Sequence, residues 1–279
     1  MLKKKKTTVT RALVFCFLCL WVVSFALCFS WLALSSLKTN VQYVTDKVRL
    51  PKPWMFSNYV DAFVKLEAGD KGAGVMIFNS LWIVFGTIII QQLGSNTLAY
   101  CLAKYKFPGR DLLYWCSILI MMLPSYGTMA SSLKLLDALN MYDSPLYLLQ
   151  YIGLAGFLMP YSCYKSLDWA YAEAAFLDGA GHIEVYFKIM LPQMVPVIVA
   201  FSVSAFMTGW NDYMTSLIYL PSFPTLSTGL YLFQQENARR MDYPILFAGL
   251  ILSTLPVIMV FILTQNTFLE INLDGGLKG

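Results

Sequence analysis

The sequence predicts an all-α fold, an integral membrane bundle of six transmembrane helices, on three observations. First, 58% of the 279 residues are hydrophobic and only 13% are charged, whereas soluble domains carry roughly 25% charged residues. Second, the charges lie between long runs that contain none. Third, six of those runs, at 12–37, 75–103, 112–133, 144–164, 191–210 and 243–269, are long enough to cross a hydrocarbon core that takes about 20 helical residues. The fifth span is extended to 212 so that it closes on the cluster Trp210-Asn211-Asp212-Tyr213. The whole chain, 1–279, is expected to form one transmembrane domain.

The first span follows Lys3-Lys4-Lys5-Lys6 and Arg11. A cleaved signal peptide is the competing reading. Signal h-regions run about 7–15 residues and close on small side chains, and this run is about twice as long and rich in Phe and Trp, so it reads as an uncleaved span. Dense positive charge beside a first span sets orientation. With the amino terminus inside, eleven of the 20 Lys and Arg fall on the inner side. Six of the others share one long outer loop, 38–74, where Asp46, Asp61, Glu67 and Asp70 offset them. Both termini and the segment 165–190 then face the cytoplasm.

In the outer loop, Pro51-Lys52-Pro53-Trp54 reads as extended chain, and Phe56, Tyr59, Val60, Phe63 and Val64 as one face of a short helix. This face is either a contact for a partner or part of a surface connector. A seventh charge-free run, 213–235, is broken by Pro221, Pro224 and Gly229 and carries Ser, Thr and Gln. It reads as an outer loop that dips back, with a seven-span topology as the alternative. Pro124, Pro160, Pro196 and Pro256 interrupt or start spans, where proline removes a helix hydrogen bond and allows bending.

Several chemistries are excluded. No G-x-x-x-x-G-K-[ST] phosphate loop occurs, and Gly69-Asp70-Lys71-Gly72 lacks its spacing, so the chain does not hydrolyse ATP itself. No H-E-x-x-H, no G-x-S-x-G and no carboxylate pair within a span is present, which removes metalloprotease, serine-hydrolase and proton-relay readings. With one histidine, His182, no His-rich metal site can be assembled. Five of the six cysteines lie inside apolar runs and Cys101 near the end of one, so buried reduced thiols are expected rather than a disulfide framework. The net charge of +4 comes partly from the four leading lysines and points to no nucleic acid.

The most informative stretch is Glu173-Ala174-Ala175-Phe176-Leu177-Asp178-Gly179-Ala180-Gly181, continuing through Ile189, Leu191 and Pro192. From 167 to 178 the residues are good helix formers, with Leu167, Ala170, Tyr171, Ala174 and Leu177 at helical spacing. Gly179 is expected to end that helix at positive φ, which glycine alone takes without a Cβ clash. A second helical run, 183–190, then leads into the fifth span. Between Lys165 and Lys188 the acids Asp168, Glu173, Asp178 and Glu184 outnumber the two lysines. A helix resting on anionic lipid is normally Lys- or Arg-rich, so a protein partner is the better reading.

The pattern E-A-A-x-x-D-G-A followed by I-x-L-P resembles the cytoplasmic coupling loop of the permease subunits of bacterial ABC importers. Asn79-Ser80-Leu81, Phe107-Pro108-Gly109-Arg110, Trp210-Asn211-Asp212 and the terminal Gly275-Gly276-Leu277-Lys278-Gly279 are similar to the carbohydrate-uptake branch, in particular the shorter membrane subunit of maltose importers. Where the family motif often carries a polar residue after the Gly-Ala pair, this chain has Gly181-His182.

The resemblance implies a cytoplasmic coupling helix that docks on an ATP-binding subunit. Glu173 would meet a basic residue there, Ala174 and Ala175 would allow close approach, and Asp178, Gly179, Leu191 and Pro192 would complete the ATPase-coupling set. It further implies a second, non-identical permease subunit, two copies of the ATP-binding subunit, an extracytoplasmic solute-binding protein and a location in the bacterial cell membrane among lipid. The chain would be non-catalytic and without a cofactor of its own, ATP and Mg being held by the partner subunits. For a carbohydrate pathway the candidates are Asn79, Tyr126, Trp210, Asn211, Asp212 and Tyr213, since amides and carboxylates suit hydroxyls and aromatic faces suit sugar rings. Gln91, Gln92, Asn96 and Gln150 also lie within spans, where polar side chains otherwise serve as interhelical glue. The rival readings are a gradient-driven secondary transporter or channel, and a membrane-embedded enzyme. Against them, charges avoid the spans and no nucleophile or metal site converges.

Overall fold

A computed structural model describes residues 2–123, 127–152, 156–240 and 242–275, with side chains described for 11–236 and 242–265 within those bounds. Pro124, Tyr126 and the last four residues of the terminal glycine motif therefore lie outside the described residues. Three described helices are long and apolar enough to cross a membrane: the 11–36 portion of α1 (Leu2–Ser36), α4 (Ala73–Lys104) and the 243–265 portion of α14 (Tyr243–Gly275). A bent pair of segments, His182–Gln193 and Val195–Asn211, meets the same test jointly.

The chain divides into two compact units. The first comprises 1–73 with 229–255. Here α1 leads through the short helices α2 (Asn40–Thr45) and α3 (Ser57–Lys65) into a two-stranded hairpin, β1 (Glu67–Ala68) and β2 (Lys71–Gly72), with Glu67 opposite Gly72. Gly69 turns the hairpin at φ +64°. Thr39 caps α2 by accepting from the Gln42 N–H, the N-cap role for which its hydroxyl suits it. Lys38 is buried, and its ammonium donates to the carbonyls of Asp46 (3.1 Å) and Lys47 (2.9 Å). Ala62, Phe233, Ile245, Leu246 and Ala248 form the core, with Tyr59 packed against it. The short helix expected around Phe56–Val64 is α3. Its Tyr59 faces inward, whereas Phe56, Val60, Phe63 and Val64 are exposed.

The second unit comprises 74–228 with 256–279. After α4 come α5 (Arg110–Met122), α6 (Met129–Ala138), a 3₁₀ segment (Pro145–Tyr151), α7 (Leu158–Ser166), α8 (Ala170–Leu177), α9 (His182–Val185), a π-helical turn (Tyr186–Met190), α10 (Leu191–Gln193), α11 (Val195–Asn211) and α12 (Met214–Tyr219). Next is α13 (Leu226–Arg240), which runs from this unit into the first. The apolar runs 112–133 and 144–164 thus carry shorter pieces where the sequence suggests single spans. Glycines at positive φ stand between those pieces, Gly127 at +79° and Gly156 at +82°, a backbone state that no α-helix contains. The run 213–235, read as a loop, holds α12 and most of α13. The turn is confined to the stretch around Pro221 and Pro224, and Gly229 sits inside a helix. All six cysteines are free, but Cys16, Cys19, Cys28 and Cys116 are exposed on helix surfaces rather than buried. Apolar side chains on a spanning helix need no protein cover, because lipid is as apolar as they are.

Candidate coupling loop and cavity

Two features of the second unit bear on function, and the first is the loop. Leu167 closes α7, and the Asp168 carboxylate accepts from the Ala170 N–H at 3.0 Å, so α8 begins one turn after α7 ends. Ala172 and Ala175 are buried against Tyr100, Tyr164, Val185 and Tyr186. Methyl side chains at that spacing let the helix lie close to its neighbours. Glu173, Ala174 and Asp178 are exposed on the opposite side. Gly179 takes φ +87°, as its position after the last helical residue predicts, and its N–H returns to the Phe176 carbonyl at 3.1 Å while the Ala180 N–H reaches Ala175 at 3.0 Å. These bonds satisfy carbonyls that a helix end leaves unpaired.

The chain then enters α9 and the π turn, where Lys188 of the turn pairs with Glu184 of α9 at 2.6 Å, four residues away. Leu191 is half-buried on the same core and Pro192 is exposed. The result is an apron whose most exposed apolar side chains are Leu177 (89% exposed) and Ile183 (76%), on the same loop as the exposed Glu173. Such a surface suits a protein cleft better than water.

The C-terminal end of α4 holds this apron. Lys104 donates to the Leu167 carbonyl at 2.6 Å, and its ammonium lies 5.8 Å from the centre of the Trp169 ring. Tyr105 hydrogen-bonds His182 Nδ1 at 3.0 Å and meets Trp169 edge-on at 6.0 Å. Deeper in, Tyr186 pairs with Thr97 at 3.1 Å and lies 4.8 Å from the Tyr100 ring. Sequence reasoning missed Lys104 and Tyr105, because each contacts residues more than sixty positions away.

The second feature is a cavity of about 350 Å³ lined by α4, α11, the 3₁₀ segment and α12, within the roughly 300–1,000 Å³ of small-molecule sites. Its polar lining comes from Thr87, Gln91, Gln92 and Ser95 of α4, Ser204 and Thr208 of α11, and Tyr151, Asp212, Thr215, Ser216 and Thr225. Asp212 is the one charged side chain of this lining among the described residues. Gly209 brings α11 against α4: a Cβ there would stand 3.3 Å from Val84.

Of the pathway residues that the sequence suggests, the structure brings Asp212 to this cavity. It also caps α12, its Oδ1 accepting from Met214 (2.9 Å) and Thr215 (3.0 Å). The others hold the frame. Asn79 is buried, donating to the Pro224 carbonyl at 3.1 Å and accepting from the Trp82 indole at 3.2 Å. Trp210 is buried, stacked on Phe206 at 5.5 Å, and its carbonyl accepts from the Ser227 hydroxyl. The Asn211 amide donates to Met207 at 2.7 Å, and the Tyr213 carbonyl accepts from Thr228 at 2.9 Å. Tyr126 lies outside the described residues. Gln91 and Gln92 do line the cavity, while Asn96 donates to Gln92 within its own helix.

Comparison with known proteins places this arrangement. Residues 95–268 match the family described as "Binding-protein-dependent transport system inner membrane component". The chain is 27% identical to the "Diacetylchitobiose uptake system permease protein NgcG" of Streptomyces coelicolor, over 89% of this chain and 83% of that protein. It is 28% identical to the "Arabinooligosaccharides transport system permease protein AraQ" of Bacillus subtilis, over 89% of each. Among solved structures, a chain of a bacterial ABC transporter involved in import of the acidic polysaccharide alginate superposes with a TM-score of 0.74 at 18% identity, over 89% of this chain and 94% of that one. That likeness speaks for the fold.

Proposed function

Because the chain belongs to the family of binding-protein-dependent transport system inner membrane components, a family of non-catalytic permeases, we propose that it is the subunit of an ABC importer that carries a carbohydrate through the membrane. Relatives named for diacetylchitobiose and arabinooligosaccharide uptake support a mono- or oligosaccharide as cargo. A gradient-driven transporter is not the reading that these relatives support.

The observation that carries the mechanism is the form of the loop. A short helix, α8, presents Glu173 and Leu177 outward and ends in a glycine at φ +87°, beside a helix that leads into the cavity wall. Glu173, Ala174, Asp178, Gly179 and Pro192, all exposed, are assigned to ATPase coupling on this basis, and Ala175 and Leu191, buried and half-buried, to seating the coupling loop. Glu173 meets a basic side chain of the ATP-binding subunit, and the buried alanines keep α8 seated on its own domain. The chain works with a second, non-identical permease, two ATP-binding subunits and an extracytoplasmic binding protein. It lies in the bacterial cell membrane with both termini and the loop inside. ATP and Mg belong to the partner subunits.

Alternating access follows from this arrangement. Closure of the ATPase pair draws the loops of the two permeases together, and rigid-body movement of the spans reopens the cavity on the other side. The full set of six spans then includes 112–133 and 144–164 as interrupted crossings. Within the cavity, Gln91, Gln92, Ser204, Thr208 and Asp212 offer hydroxyl partners and Tyr151 a ring face. Trp210, Asn211, Tyr213 and Asn79 support the wall, and Tyr126 belongs to the same pathway.

The decisive experiment is reconstitution. The purified chain alone should hydrolyse no ATP above a mock preparation. The assembled complex should hydrolyse it, faster with substrate-loaded binding protein, and should take up sugar. Hydrolysis by the isolated chain, or a reporter fused at Gly181 reading as external, would overturn the assignment.

A further inference from the structure

We infer that Lys104 and Tyr105, at the inner end of α4, are the positioning residues through which movement of the loop reaches the cavity wall. The inference rests on the coupling role proposed above and adds its transmission element, which lies outside the loop itself.

The joint between α7 and α8 is the triplet Leu167-Asp168-Trp169. Its Leu167 carbonyl accepts the Lys104 ammonium at 2.6 Å, and its Trp169 ring lies 5.8 Å from that charge. A charge-assisted hydrogen bond and a cation–π contact from one ammonium hold both ends of the triplet. The next residue, Tyr105, meets the same ring edge-on and hydrogen-bonds His182 Nδ1 at 3.0 Å. His182 is the first residue of α9. Two consecutive side chains therefore grip the entrance of each helix of the loop, one on either side of Gly179, and the loop cannot swing without carrying the end of α4.

The remainder of α4 gives the grip its consequence. Gln91 and Ser95 line the cavity and stand about 14–20 Å from Lys104 along the axis at 1.5 Å per residue. Between them and the clamp, α4 is unbroken and contains no proline. The other route, covalent from α9 into α11, passes a π turn and bends by 72°. Arg110, the first residue of α5, ties the far side of the same junction, its Nε donating to the Leu102 carbonyl at 2.8 Å, so the C-terminal end of α4 is fixed to the start of α5. A rod clamped to the loop at one end and walling the cavity along its length converts loop displacement into a change of cavity shape.

The test uses the assembled complex with its partner permease, ATP-binding subunits and binding protein. It measures membrane insertion, ATPase retention, basal Mg-ATP hydrolysis, stimulation by loaded binding protein, and uptake of radiolabelled maltose, trehalose, cellobiose and xylobiose. Lys104→Met should keep assembly and basal hydrolysis within twofold while stimulation and uptake fall at least tenfold. Lys104→Arg, which can donate to the same carbonyl and lie over the same ring, should restore both to within threefold of wild type. Tyr105→Phe keeps the ring contact, loses the His182 bond, and should cost several-fold. It also decides the matter if Lys104→Met does not insert. Full stimulation in both Lys104→Met and Tyr105→Phe would overturn the inference. So would loss of ATPase retention in Lys104→Met, which would make Lys104 a docking residue, or equal losses in the Met and Arg variants. A wild-type complex with neither stimulation nor uptake would instead overturn the transport reading, and this inference with it.

Discussion

Two helical routes connect the loop to the cavity, and they are built differently. The α4 route is a single 32-residue helix, joined to the loop by side chains alone. The α9–α11 route is covalently continuous with the loop. It is interrupted by the π turn Tyr186–Met190, by Pro192 and Pro196, and by Met194, where the axis turns through 72°. Pro192 leaves the i→i−4 ladder one N–H short just before the bend, and the π turn loosens that ladder next to it. Both routes supply cavity lining, Thr87 to Ser95 on one side and Ser204 to Gly209 on the other. One wall of the cavity is therefore joined to the loop through an unbroken helix and the other through a bend, and the proposed relative movement of the walls draws on that difference.

The comparison is broken most severely by disabling the loop from which both routes start. Gly179→Val places a β-branched side chain at φ +87° with nothing within 4 Å of the new Cβ, so the cost is backbone strain of about 1–2 kcal/mol rather than a clash. That is small against the several kcal/mol of a folded domain. The protein should insert and pair with the second permease, while α8 points wrongly and stimulated hydrolysis falls at least tenfold. Glu173→Lys should give a loss of the same size by charge reversal at the docking face. Wild-type ATPase retention and stimulation in both variants would remove the loop from the mechanism.

A second break separates the walls themselves. Gly209 lets α11 approach Val84 of α4, and a Cβ already comes to 3.3 Å. Gly209→Leu must push the helices apart, at about 1–3 kcal/mol for overpacking. Uptake should fall several-fold while ATPase retention is unchanged, since the loop is untouched. Unchanged uptake would show that the two walls do not move against each other at this contact.

The two routes also differ in how far they could be read from sequence. The long charge-free runs give α4 directly, because a spanning helix needs only length and apolarity, and Gly179 after a helix-forming stretch gives the turn. The bend in the other route was only partly legible. Pro196 marks a weakness, but the π turn has no proline or glycine of its own in Tyr186-Phe187-Lys188-Ile189-Met190, and packing of Tyr186 and Met190 fixes it. The interruptions of the runs 112–133 and 144–164 were likewise legible only in Pro124 and Pro160, and the positive-φ glycines at 127 and 156 were not singled out. Hydropathy counts glycine and proline as neutral members of a run, whereas the backbone state that ends a helix is a local dihedral choice. The clamp was illegible for another reason: Lys104 reads as one more inner-side charge until the fold brings Leu167 and Trp169 to it. At the cavity, the sequence singled out Trp210-Asn211-Asp212-Tyr213 as a cluster. Successive residues on a helix point in different directions, so only Asp212, just past the end of α11, reaches the lining.

Asp212 offers a sharper test of the hinged wall. Its carboxylate caps α12 and lines the cavity at once. Asp212→Ala removes the cap at a cost of about 1 kcal/mol, whereas Asp212→Asn keeps an oxygen for the Met214 and Thr215 N–H groups. If the cap is the main contribution, Asn should retain uptake within twofold and Ala should lose it several-fold with a lowered melting temperature. Equal losses in both, with an unchanged melting temperature, would assign Asp212 to the cargo through its charge.

The smallest effect is expected at Pro196. It sits in the first turn of α11, a position where the missing N–H is unpaired in any helix and where the fixed φ of proline suits the backbone. The bend itself lies just before it, at Met194, whose N–H still bonds Leu191 and whose carbonyl accepts from Ile198. Buried contacts of Met194 with the loop core hold that geometry. Pro196→Ala should therefore leave the 72° bend in place and uptake within twofold of wild type. Met194→Ala, which empties a fully buried position, should cost about 2–5 kcal/mol of stability and release the bend. Uptake measured beside thermal unfolding distinguishes the two. A tenfold loss in Pro196→Ala with unchanged stability would place the hinge in the proline, and the contrast between the stiff and the hinged route would then rest on one residue rather than on packing.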